Sequence, residues 1–111
     1  MEGFVKGDII VIEYPYSDFK TYKRRPVVVL KVPKGEDIIV LQMTAESQEK
    51  SVEILITYKD FSKGRLKREG FIRLDKVFTI DKSLVKYKVG SLKQEMFNNI
   101  VESLCNYLKT D

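Results

Sequence analysis

Arg25 stands directly before Pro26, at the end of a basic, aromatic-rich segment, and Thr44 closes an apolar run further along. These two side chains suit work on a phosphodiester. The chain has no histidine, one cysteine and no phosphate-binding glycine loop, so the commonest catalytic groups are missing. RNA brings its own nucleophile, the 2′-hydroxyl. Its attack on the adjacent phosphorus needs a proton acceptor, charge stabilisation on the phosphoryl oxygens, and a proton for the leaving 5′-oxygen. The planar guanidinium of Arg25 can supply the second service, and Pro26 biases the Arg25 backbone toward extended geometry. The Thr44 hydroxyl can hydrogen-bond the phosphate or pass on a proton, although a threonine at a strand end is more often structural. Arginine is a poor base because its pKa exceeds about 12. The base is therefore left open among Asp18, Glu46 and a neighbouring tyrosine.

Cations and flat rings surround the first of these residues. Ser17 to Arg25 carries four positive charges and one negative, interleaved with Tyr14, Tyr16, Phe19 and Tyr22. Single-stranded nucleic acid binds such a mixture, with cations on phosphates and rings on unstacked bases. The candidate contacts are Tyr16, Asp18, Phe19, Lys20, Tyr22, Lys23 and Arg24, with Glu46 beside Thr44. Lys63, Arg65, Lys67 and Arg68 form a second basic run. The ordinary readings are a solvated hairpin for the first segment and an exposed connection for the second. A cationic groove forms only if both segments lie at one end of the fold.

The elements that must position these residues follow from periodicity. Residues 7–16 and 26–32 read as strands, the second buried on both faces by its unbroken apolar run. Residues 17–25 read as loop. Residues 37–43 make a third strand ending at Thr44. Residues 52–58 alternate, with Val52, Ile54, Ile56 and Tyr58 facing inward. Lys59 to Gly70 reads as a charged connection, Phe71 to Ile80 as a strand, and Lys86 to Gly90 as a further short one. Leu92, Met96, Phe97, Ile100, Val101, Leu104 and Leu108 then fall on one helix face, with Ser91 at the N-cap and Gln94 three residues on. The fold class is mainly β with a C-terminal helix: a small bent sheet or half-open barrel of five to seven short strands.

Composition bounds the rest. At 111 residues the chain reads as a single domain spanning 1–111. Lys and Arg number 20 against 16 Asp and Glu, a net charge of +4 that permits a polyanionic partner without requiring one. Cys105 cannot form an internal disulfide, and it reads as a buried structural thiol. Glu2, Lys6 and Asp8 interrupt any signal-peptide core, and no apolar run is long enough to span a bilayer, so the expectation is a cytoplasmic protein without a membrane partner.

Gly7-Asp8-Ile9, the aromatic–proline–aromatic Tyr14-Pro15-Tyr16, Arg25-Pro26 before an apolar strand, and the strand ending at Thr44 together resemble the MazF/PemK family. Leu74 to Lys82 and the terminal helix are similar to the family's later elements, so the resemblance covers nearly the whole chain. Its members are toxins of bacterial and archaeal toxin–antitoxin pairs. The resemblance implies an SH3-like barrel of the PemK/CcdB type and a sequence-preferring endoribonuclease for single-stranded RNA that uses no metal or cofactor. The products would be a 2′,3′-cyclic phosphate and a 5′-hydroxyl. It also implies a homodimer, inhibition by a cognate antitoxin protein, and catalytic roles for Arg25 and Thr44. The alternatives are a gyrase-binding toxin of the CcdB kind and a nonenzymatic RNA-binding barrel; neither uses the Arg25–Thr44 pair.

Overall fold

Ile9 to Ile12, Val27 to Val29 and Ile38 to Leu41 are apolar at every position, which leaves three strands without a polar face. The computed structural model describes residues 3–15 and 22–111, with only the backbone described for Tyr14, Pro15 and Tyr22. Those runs lie in β1 (Asp8–Pro15), β2 (Tyr22–Lys31) and β3 (Asp37–Thr44). They are neighbours at the centre of an antiparallel sheet completed by β4 (Glu53–Ile56), β5 (Phe61–Gly64), β6 (Gly70–Asp81) and β7 (Val85–Leu92). The strand order is β4-β6-β3-β2-β1-β7-β5. The α-helix α1 (Gln94–Lys109) follows.

Side chains alternate between two apolar layers. Ile9, Val28, Leu41, Met43, Ile72 and Leu92 face one core, which Ile100 of α1 closes. Ile10, Ile12, Val27, Val29, Ile38 and Val40 face the other, covered by Phe4, Phe78, Leu84 and Val85. Each fully buried Val or Ile contributes about 1.5–3 kcal/mol, so this double-sided centre is the largest stabilising feature. Register shifts at Ile9/Ile10 and Val11/Ile12 on the β7 side, and at Leu41/Met43 on the β6 side, bend the sheet into a half-barrel.

The Gly-Asp pair near the N-terminus is a fastener. Gly7 takes φ +90°, which L side chains avoid, and its N–H donates to the Val29 carbonyl at 2.8 Å. The buried Asp8 carboxylate accepts from the Val5 amide at 2.8 Å and the Ser91 hydroxyl at 2.7 Å, and pairs with Lys88 at 3.3 Å. The start of β1 is thereby tied to β7.

Several expectations are corrected. The second strand begins at Tyr22, so residues 22–25 are strand rather than loop; pairing with β1 from Tyr22↔Pro15 to Arg25↔Ile12 extends it. The charged connection after Lys59 contains β5, held by pairing with β7 rather than by an apolar pattern of its own. The strand read over 52–58 is confined to Glu53–Ile56, and Tyr58 sits exposed in a 3₁₀ turn. Ser91 belongs to β7 and spends its hydroxyl on Asp8; Lys93 occupies the N-cap without a side-chain bond. The buried helix stripe is Phe97 and Ile100 with Met96, Leu104 and Tyr107. Val101 and Leu108 are exposed one step round the helix. Cys105 lies on that same outer side, exposed rather than buried.

Gly64 and Gly90 face each other in the β5–β7 register. A Cβ on Gly90 would run into the Lys63 carbonyl oxygen and come within 3.0 Å of Gly64 Cα. Gly90→Ala should therefore destabilise the chain by about 1–3 kcal/mol through overpacking, read as a lower denaturant midpoint with an unchanged slope.

Candidate functional site

β2 and β3 pair from Val29↔Val40 to Val27↔Gln42, and the ladder ends there. At the same offset Arg25 and Thr44 lie two positions beyond the last pair, on the face that carries Val27 and Val29. Both line one open cleft of about 930 Å³. Val11, paired with Pro26 on one side and Tyr87 on the other, also lines it. The β5–β6 connection forms a further wall. There Leu66 packs against the core while Arg65, Lys67 and Arg68 remain exposed.

The two basic segments therefore meet. The cleft is lined by seven cations, Lys23, Arg24, Arg25, Arg65, Lys67, Arg68 and Lys88, against two carboxylates, Glu46 and Glu69. That surplus of five exceeds the +4 of the whole chain, so the rest of the surface is close to neutral. Lys88 is held by Asp8; the other six make no ion pair with another described residue. Lys63 is not in the cleft: it sits on edge strand β5, paired with Ser91. Tyr16, Asp18, Phe19 and Lys20 lie outside the described residues, as does the Tyr22 side chain.

Thr44 Oγ1 donates to the Glu46 carbonyl at 3.3 Å, a long bond in an exposed loop. Turning the hydroxyl toward a phosphate exchanges that weak bond for one to a charged oxygen, which is worth about 1.5–3 kcal/mol. Glu46 is exposed at the cleft, two residues beyond Thr44. Sequence reasoning missed Tyr87 and Lys88. Tyr87 is 49% exposed, an unusual exposure for a large ring in a cleft wall. The alternating Val85-Lys86-Tyr87-Lys88-Val89 marked a strand, but nothing in it indicated which end of the sheet it would face.

Behind the cleft, Arg73 forms a two-pronged pair with Asp75, Nε to Oδ1 at 3.0 Å and the second prong at 2.8 Å. The hydrogen bonds from Arg73 hold the Asp75 carboxyl below the usual range. Hydrogen bonding from Ser47, then the Glu49 and Gln48 amides, and Arg73 likewise lower Glu53 against its own desolvation. Among the described residues no group of three or more His, Cys, Asp or Glu side chains is arranged to hold a metal ion. Among the described residues no helix is long and apolar enough to cross a membrane.

Residues 5–108 match the model of PemK-like, MazF-like toxins of type II toxin–antitoxin systems. The chain belongs to this family. Solved structures share its fold across almost the full length. One is an endoribonuclease from a mycobacterial species in complex with its cognate antitoxin, with 13% identity, 98% of each chain covered and a TM-score of 0.74. Another is the MazE–MazF complex of Deinococcus radiodurans, with 14% identity, 96% of this chain and 97% of that one covered, and a TM-score of 0.75. The Mycobacterium tuberculosis toxin MazF-mt6 gives 17% identity, 92% and 98% coverage, and a TM-score of 0.68. At such identities the likeness speaks to the fold. Comparison with curated proteins finds no match.

The lowered Asp75 and Glu53 carboxyls stabilise the fold above the ordinary carboxylate range, and that contribution is lost as pH falls through their lower native values. Asp75→Asn should cost about 1–3 kcal/mol at neutral pH by breaking a charge-assisted pair. Its thermal midpoint should also fall less steeply than that of the parent between pH 4 and pH 2, as measured by circular dichroism.

Proposed function

We propose that this chain is the endoribonuclease of a toxin–antitoxin pair, cutting single-stranded RNA in the cleft between β2, β3 and the basic β5–β6 connection. The observation that carries this reading is the single cleft that gathers Arg25, Thr44 and a charge surplus larger than that of the whole molecule. A phosphodiester backbone entering the cleft is neutralised by Lys23, Arg24, Arg65, Lys67 and Arg68, and Tyr87 offers a ring for a base to stack on.

The reaction is an in-line transesterification. The 2′-oxygen bonds to phosphorus, its proton passes to the Glu46 carboxylate, and the bond to the 5′-oxygen breaks. Arg25 stabilises the negative charge that builds on the phosphoryl oxygens, and Thr44 hydrogen-bonds one of them. The leaving 5′-oxygen takes a proton from solvent in the open cleft, leaving a 2′,3′-cyclic phosphate and a 5′-hydroxyl. Cations supply the charge stabilisation, so cleavage is expected to persist in chelator. A homodimer, a cognate antitoxin partner and a cytoplasmic location belong to the same reading, as does the treatment of residues 1–111 as one domain.

The test is cleavage of a mixed single-stranded RNA in chelator with analysis of the product ends. Arg25→Ala should lower kcat by about 10²–10³-fold, the usual loss of one charge-stabilising donor. Its unfolding midpoint should stay close to that of the parent, because Arg25 lies at the core's rim. Thr44→Val should cost about 10–100-fold, the loss of a hydrogen bond to a charged group. Unchanged cleavage by Arg25→Ala overturns the assignment, and binding without cleavage by the parent leaves a plain RNA-binding barrel.

Affinity should weaken with salt. If about four phosphates are neutralised, the log–log slope is roughly −2.8. A flat response, measured by filter binding from 50 to 300 mM salt, would remove the cationic groove from the account.

A further inference from the structure

Strand alternation in β4 turns Ile54 and Ile56 toward the core, so Glu53 belongs on the opposite side with Leu55, which is 45% exposed. The Glu53 side chain is nevertheless only 2% exposed. The segment after Thr44 folds back over it. Glu53 Oε1 accepts from the Ser47 hydroxyl at 2.6 Å, and Oε2 accepts from the amides of Gln48 at 2.7 Å and Glu49 at 3.0 Å. One carboxylate thus gathers donors from three consecutive residues.

The carboxylate is itself anchored. Arg73 lies directly opposite Glu53 in the β4–β6 register, 3.5 Å from Oε2. The same guanidinium nitrogen donates to the Gln48 side-chain oxygen at 3.3 Å. Asp75 fixes the remaining prongs of Arg73. A guanidinium has no rotatable bond within its plane, so three contacts on it fix the direction of the fourth. The resulting chain of contacts runs from β6 through Arg73 and Glu53 to residues 47–49. Thr44, Ala45, Glu46 and Gln48 from that same segment line the cleft.

We propose that Glu53 is a positioning residue: it clamps the 45–49 segment as a fixed wall and so sets where Thr44 and Glu46 meet the scissile phosphate. This rests on the cleft being the site of RNA cleavage. The clamp itself is a property of the free protein and is testable without RNA. Glu53 touches no substrate. Its effect on turnover comes through geometry, where misplacement on the order of 1 Å costs up to about 10²-fold.

The experiment pairs amide hydrogen exchange with kinetics on Glu53→Gln. In the RNA-free protein, exchange at Gln48 and Glu49 should quicken by about tenfold or more, while Val28 and Leu41 in the central strands keep their protection. With RNA, kcat should fall about 10–100-fold with KM within about twofold, because the cleft cations are untouched. Ser47→Ala removes one of the three bonds at an exposed site and should show a smaller change in the same direction; it decides the matter if Glu53→Gln does not fold. Unchanged exchange at Gln48 and Glu49 overturns the clamp. Faster exchange with unchanged kcat overturns the positioning role. A parent protein that cuts no RNA overturns the function proposed above, and the exchange measurement still judges the clamp.

Discussion

Burial of β1, β2 and β3 on both faces is the constraint from which the rest follows. Strands sealed on each side have no room for a charged or hydroxyl side chain along their length, since an unpaired buried polar group costs about 1–3 kcal/mol or more. Polar chemistry is therefore confined to the strand ends. Arg25 and Thr44 are the first polar residues beyond the last β2–β3 pair, and the sheet's curl turns that end toward the β5–β6 connection. The cleft is where an apolar ladder stops, not a hollow carved into a core.

Around that end, small devices assign each residue a direction. Leu66 packs against the edge of the core and leaves its basic neighbours outside. The Asp8 carboxylate, bonded to Val5 and Ser91, pulls Lys88 toward the strand start. Glu13 pairs with Lys86 at 3.3 Å, which occupies the cation next to Tyr87 of the cleft.

Much of this was legible in the sequence because the central runs are β-branched and unbroken, so no competing period exists for residues 9–12, 27–29 or 38–41. Arg25 and Thr44 could be singled out because they bound those runs. The failures share a cause. β5 consists of Phe61-Ser62-Lys63-Gly64, whose strand character comes from β7 and from two glycines in close approach, a tertiary effect without a local signal. Ser91 looked like a cap because its pattern was right, but a buried carboxylate competed for its hydroxyl. Nothing in the sequence singled out Glu53, Arg73 and Asp75 as a cluster. Their partners come from other elements, and only the folded register brings Arg73 opposite Glu53.

The crowding of like charge in the cleft has a cost in the empty protein. Like charges gathered along one cleft repel one another over a Debye length, about 10 Å in dilute buffer. Added electrolyte relieves that repulsion and stabilises the unliganded fold, yet the same electrolyte competes with any polyanion for the same side chains. The chain is thus built so that fold stability and grip on an acidic partner respond to ionic strength in opposite senses.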